Sequence, residues 1–255
     1  MRKPLIAANW KMNKLQRDAL VFVEQFLLTY EGQGTCEVLL CPPFTSLAPV
    51  GRVISGSQLI LGAQNVYWEK AGAFTGEISV EMLADCGCRY VIIGHSERRG
   101  LLDETDEDVN RKVKAALAGS LTPIICVGET LEQREAKKTQ DVVTGQLRAA
   151  LEGCHVGEDF MPVIAYEPVW AIGSGRSASA SDAEEVAAVL REEFSKVTSG
   201  PGEAVRILYG GSVKSNNIAE FMGEPNVDGA LVGGASLDVE EFSRLIHAAV
   251  GRDET

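Results

Sequence analysis

The sequence contains no Cys-x-x-Cys pair; its six cysteines, Cys36, Cys41, Cys86, Cys88, Cys126 and Cys154, are scattered. No Cys/His pair stands at zinc-site spacing from Cys86 and Cys88, so no metal is expected. A chain of 255 residues does not need a disulfide scaffold, and the thiols are expected to be reduced, in the cytoplasm. No apolar run is long enough to cross a bilayer. The short run after Arg2 and Lys3 is also too brief for a secretory signal. Basic residues are the minority: 24 Lys and Arg face 36 Asp and Glu, for a net charge of -12. Such a chain repels nucleic acid and anionic membranes at long range. It repels anionic metabolites too, so any phosphate site must be made locally, from a lysine, helix N-termini or backbone N–H groups. Finally, no Gly-x-Gly-x-x-Gly follows the first apolar run, which leaves a dinucleotide site there unsupported; no cofactor is expected.

What is present reads as a globular chain, 45% hydrophobic and 24% charged. Short apolar runs recur: LIAANW (5–10), EVLLCP (37–42), LILGAQ (59–64), YVIIGH (90–95), PIICVG (123–128), PVIAYE (162–167), RILYGG (206–211) and GALVGG (229–234). Continuous apolarity, rather than alternation, predicts strands covered on both faces of a parallel sheet. Helical spacing marks 17–30, 106–119, 182–197 and 238–250, with Asp182 and Asp238 placed as N-caps. Residues 79–87 read as a shorter helix ended by Gly87, and 129–152 as helix in two pieces. The expected fold is α/β: a closed (β/α)8 barrel of eight parallel strands with outer helices, one domain over 1–255. An open doubly wound sheet is the structural alternative.

In such a barrel the active site lies at the C-terminal ends of the strands. Those ends carry Asn9-Trp10-Lys11, then Gly94-His95-Ser96-Glu97, then Glu167-Pro168, then Gly210-Gly211-Ser212 and Gly233-Gly234. Taken singly, each has a structural reading: Lys11 as a lysine reaching out of the barrel mouth, His95 as a capping or core imidazole, Glu167 as a partner of an arginine, the glycines as turns. Five strand ends converging on one mouth favour chemistry instead. A carboxylate base, an imidazole that polarises a carbonyl and an ammonium that holds developing charge suit proton abstraction α to a carbonyl, through an enediolate. The turns at 210–211 and 233–234 offer backbone N–H groups to a phosphate. His155 and His247 fall outside this constellation.

At these residues the chain resembles the triosephosphate isomerase family over essentially its full length. The matching stretches are AANWKMN (7–13), AQNVYWEKAGAFTGEIS (63–79), VIIGHSERR (91–99), ICVGE (125–129), AYEPVWAIGSGR (165–176), YGGSV (209–213) and VGGASL (232–237). The resemblance implies a TIM barrel that interconverts dihydroxyacetone phosphate and D-glyceraldehyde 3-phosphate, in glycolysis and gluconeogenesis. It makes Glu167 the proton acceptor, His95 the electrophile and Lys11 the electrostatic group. It makes Asn9, Gly173, Ser212, Gly233 and Gly234 substrate-binding, with Glu97 and Ser96 supporting and Tyr209 a latch. It also implies a homodimer through the loop at 70–79, with Thr75 reaching the neighbouring site. Residues 168–176 would form a lid, in which Ser174 and Arg176 stand where threonine and lysine are common. A different sugar-phosphate barrel enzyme would lack the lid or the base, and a silent scaffold barrel would lack Glu167, His95 or Lys11.

Overall fold

The computed structural model describes residues 2–30, 34–157, 161–171, 178–198 and 202–251. Eight strands follow in chain order: β1 (Leu5–Asn9), β2 (Glu37–Cys41), β3 (Leu59–Ala63), β4 (Cys88–Ile93), β5 (Thr122–Val127), β6 (Val163–Tyr166), β7 (Arg206–Tyr209) and β8 (Gly229–Val232). Each pairs in parallel with its neighbour, and β1 also pairs with β8, so the sheet closes into a barrel. The open-sheet alternative is thereby excluded.

The unbroken apolarity of these strands has a direct cause. Along β1, Leu5 and Ala7 point into the barrel and pack with Leu39, Cys41, Ile124, Ala165, Leu208 and Leu231. Their neighbours Ile6 and Ala8 point outward, beneath the helices. Apart from the first residues of several strands, such as Glu37 and Arg206, and the exposed Arg89, both faces of the strands are thus largely dry, as parallel sheets require.

The helices are α1 (Gln16–Thr29), α2 (Phe44–Ile54), α3 (Val80–Asp85), α4 (Ser96–Leu101), α5 (Asp106–Ala118), α6 (Leu131–Glu135), α7 (Thr139–Leu151), α8 (Ala180–Thr198), α9 (Ile218–Phe221) and α10 (Val239–Val250). Asp238 caps α10 as expected, accepting the Glu241 N–H at 2.8 Å. Asp182 does not cap α8. That helix starts two residues earlier, where the Ser179 hydroxyl accepts the Asp182 N–H at 3.1 Å and the Asp182 carboxylate takes the Ser179 N–H at 3.0 Å. Asp182 is therefore the third residue of a reciprocal capping box, and the serine supplies the cap. Helix α2 was not expected, although Leu47, Val50 and Ile54 are buried at helical spacing on one face; Pro49 lies inside it.

The N-terminal end of the barrel is closed by a polar trio from three strands. The Arg206 guanidinium donates to Glu37 at 2.6 Å and to the Tyr90 hydroxyl at 2.7 Å, and that hydroxyl donates to Glu37 at 3.0 Å. The opposite end opens into a cavity of about 1030 Å³.

Candidate active site

Glu167 extends β6: its N–H donates to the Val127 carbonyl at 2.8 Å, continuing the ladder to β5. Pro168, with no N–H to offer, ends that ladder, and a 3-10 turn follows at Val169–Ala171. The side chain is buried at the cavity. One carboxylate oxygen, Oε1, lies 2.9 Å from His95 Nε2. The other, Oε2, accepts the Ser96 N–H at 2.9 Å. Burial alone would raise the Glu167 pKa, but the His95 charge and hydrogen bond, the Ser96 N–H and the Cys126 thiol outweigh it and hold the group below the ordinary glutamate value.

His95 sits at the junction of β4 and α4 and caps the helix, its Nδ1 accepting the Glu97 N–H at 3.2 Å. An N–H can donate only to an unprotonated nitrogen, so this contact selects the neutral Nε2–H tautomer, with Nε2 facing the Glu167 carboxylate at the cavity. Burial pulls the imidazole pKa down, but the facing carboxylate of Glu167 pulls harder, so the balance lies above the ordinary value. A proton at Nδ1 would cost the Glu97 contact, which opposes that rise.

Lys11 completes the group. Its Nζ is 2.5 Å from Glu97 Oε1. Its backbone is left-handed, with φ of 53°, a conformation that costs free energy in any residue with a β-carbon. Two contacts hold it there. Asn9 Oδ1 accepts the Lys11 N–H at 3.1 Å, and the Gln64 side-chain amide donates to the Lys11 carbonyl at 2.9 Å and to the Cys41 carbonyl at 2.8 Å. Gln64 was not among the expected site residues. Its signal was a polar side chain at the C-terminal end of an apolar strand, the same signal that marked the others.

Ser212, Gly233 and Gly234 line the same cavity as Asn9 and Lys11, with the two glycines beside Lys11 because β8 pairs with β1. The chain after β8 passes through a 3-10 helix at Gly234–Leu237 before α10 begins behind its cap, Asp238. Ser236 is fully buried in it and donates its hydroxyl to the Gly233 carbonyl at 2.7 Å. Leu231, the last inward residue of β8, also lines the cavity and was missed for want of any polar signal.

The remaining expectations divide. Ser96 and Glu97 line the cavity. Tyr209 lies behind it: the ring stacks on Phe221 at 4.1 Å. Burial, offset in part by the Ala178 backbone, pushes the Tyr209 hydroxyl up to about 12. The Ser212 hydroxyl reaches the Ala171 carbonyl at 3.5 Å, the long limit of a hydrogen bond. Thr75 is exposed and outside the cavity lining. Gly173, Ser174 and Arg176 lie outside the described residues. Among the described residues, no cluster of three His, Cys, Asp or Glu is placed to hold a metal ion.

What such a mouth suits is proton transfer on a small anionic carbonyl compound, and the molecule is a barrel enzyme of the isomerase type. Residues 4–249 match the model of the triosephosphate isomerase family. The triosephosphate isomerase of Moorella thermoacetica is 51% identical over 97% of this chain and 99% of its own. Those of Endomicrobium trichonymphae (50% identical, 96% of this chain, 98% of its own) and Roseiflexus sp. (50%, 97% and 98%) are similar. The chain belongs to the triosephosphate isomerase family.

Proposed function

We propose that Glu167, His95 and Lys11 are the residues by which this isomerase interconverts dihydroxyacetone phosphate and D-glyceraldehyde 3-phosphate, a step of glycolysis and gluconeogenesis. Glu167 takes the proton α to the carbonyl. The Nε2–H of His95 polarises the carbonyl oxygen, and Lys11 stabilises the negative charge that develops on the enediolate. Asn9 positions Lys11, and Ser212, Gly233 and Gly234, with Gly173 from the segment outside the described residues, bind the phosphate. Glu97 and Ser96 orient the catalytic groups, Tyr209 latches the segment after Ala171, and Thr75 serves the neighbouring subunit.

The observation that carries this reading is the approach of Glu167 to His95, 2.9 Å apart at one cavity. Base and electrophile must reach adjacent carbons of one substrate, and they come from strands that are not neighbours in the barrel. The test is Glu167→Asp, assayed with D-glyceraldehyde 3-phosphate and a coupled dehydrogenase. Withdrawing the carboxylate by about 1 Å costs about 100-fold or more in turnover. Near-normal turnover in the folded variant would remove Glu167 from the role of base.

The proposed assembly is a homodimer. Its support is a set of uncovered apolar side chains on loops and a helix that follow the strands: Met12, Phe74 and Leu101 are 96%, 40% and 78% exposed. Exposed apolar side chains of this size are covered where subunits meet. The proposed location is cytoplasmic, in keeping with six free thiols. Among the described residues no helix is long and apolar enough to cross a membrane.

A further inference from the structure

The loop from β1 to α1 places a second lysine in the left-handed region, Lys14, with φ of 69°. Glycine adopts that backbone without strain, so the side chain must return something for its presence. Its Nζ donates to the Leu237 carbonyl at 2.8 Å, joining residues 223 apart in sequence. On the way the ammonium passes 4.5 Å from the ring centre of Phe22 and 5.4 Å from that of Trp10, contacts that favour a cation. Phe22 and Trp10 are themselves buried, ring against ring at 5.0 Å, so the lysine rests on a firm base.

Leu237 is the last residue of the 3-10 helix that opens at Gly234. The near end of that short turn is tied to β8 by the Ser236 hydroxyl, on the Val232 carbonyl at 3.1 Å and the Gly233 carbonyl at 2.7 Å. The far end is tied by Lys14 to the loop that also carries Lys11. Gly233 faces Lys11 directly: a β-carbon on it would stand 3.4 Å from Lys11 Cε. One loop therefore supplies both the Lys11 ammonium and the strut behind the turn at the end of the neighbouring strand, β8.

We propose that Lys14 is a positioning residue that holds the Gly233–Gly234 turn at a fixed distance from Lys11, so that phosphate and developing charge are met together. The inference rests on the reading of that turn as the phosphate cradle.

The test uses Lys14→Met, which keeps the stem over the two rings and removes the donor, and Lys14→Gly, which also suits the left-handed backbone. Lys14→Arg returns a cationic donor. For each, kcat and KM with D-glyceraldehyde 3-phosphate, the Ki of inorganic phosphate and Tm are measured. The Met and Gly variants are expected to raise KM and the phosphate Ki together by about three- to tenfold, with kcat within about twofold, because a loosened cradle weakens ground-state and transition-state binding alike. Arginine should recover most of the loss. Gly234→Pro in the parent chain checks the cradle itself: it removes one N–H at a position where proline fits a helical start. An unmoved phosphate Ki in Gly234→Pro would sink the cradle reading. A Ki raised there but unchanged in both folded Lys14 variants, even with a lowered Tm, would overturn the role of Lys14.

Discussion

Gly128 lies against the backbone of Glu167 so closely that a β-carbon built on it would stand 1.7 Å from the Glu167 carbonyl oxygen. The carboxylate's position is thus set partly from beneath, by the absence of a side chain on the strand next door. The expected result for Gly128→Ala is a loss of both stability and turnover, since overpacking typically costs about 1–3 kcal/mol and shifts the Glu167 backbone. Melting and turnover of the purified variant check this. A stable variant at parental rate would mean that the contact places nothing.

The approach of His95 to Glu167 has a readable sign. The imidazole stands above its ordinary pKa although burial opposes it, because the carboxylate faces it. Glu167→Gln removes that charge and leaves the burial. The His95 pKa should then fall, relative to the parent chain, in an NMR titration of the ring. If it stayed where it was, the two groups would not face each other in the free enzyme.

At the other end of the barrel the Glu37 carboxyl is held below its ordinary value: burial would raise it, but Arg206 and Tyr90 outweigh burial. A depressed carboxylate contributes stability that is complete above its unfolded pKa and lost as pH falls through the folded one. Arg206→Met should therefore lower Tm most near neutrality, with a gap to the parent that narrows on acidification. A gap independent of pH would show that the arginine acts through packing alone.

Phe74 is 40% exposed and packs only partly, against Tyr67 at 5.0 Å between ring centres. In the proposed dimer that exposed face is covered. Phe74→Asp should give monomers of weakened activity, and an undiminished dimer by light scattering would exclude this loop from the contact.

Tyr209→Phe addresses the latch. Its hydroxyl is held near the Ala178 backbone, at the start of the chain that follows residues 172–177. If the hydroxyl anchors that stretch over the intermediate, the variant should turn over modestly more slowly and lose a larger share of enediolate to methylglyoxal. Product and methylglyoxal measured together decide the matter; an unchanged ratio at unchanged turnover leaves Tyr209 as a ring stacked on Phe221.

The barrel was legible because burial on both faces writes itself into consecutive residues, as in Ile6-Ala7-Ala8 or Val91-Ile92-Ile93. The candidate site drew notice by convergence: His95 and Glu167 each have a structural reading taken singly, and His95 does cap α4, but five strand ends carrying polar or glycine residues meet at one mouth. Other features depend on partners distant in sequence. Nothing local to Gly128 announces a carbonyl from the next strand, and nothing near Lys14 announces Leu237. Helix α2 was legible in the spacing of Leu47, Val50 and Ile54, but Pro49 argued against a helix by local propensity, which packing of that face overrides. Asp182 was misassigned by position, since a capping box puts a polar side chain at both of its ends.

Among the described residues, the trio of Glu37, Tyr90 and Arg206 and the side chains that fill the strand interiors above it leave no passage from the cavity through the barrel. Whatever enters must depart by the route it came. Substrate and product then occupy the same passage by turns, and neither can be drawn through toward a far exit. Direction is left, as with any catalyst, to concentrations outside the molecule; what the shared doorway requires is that two isomers of one size take turns in it.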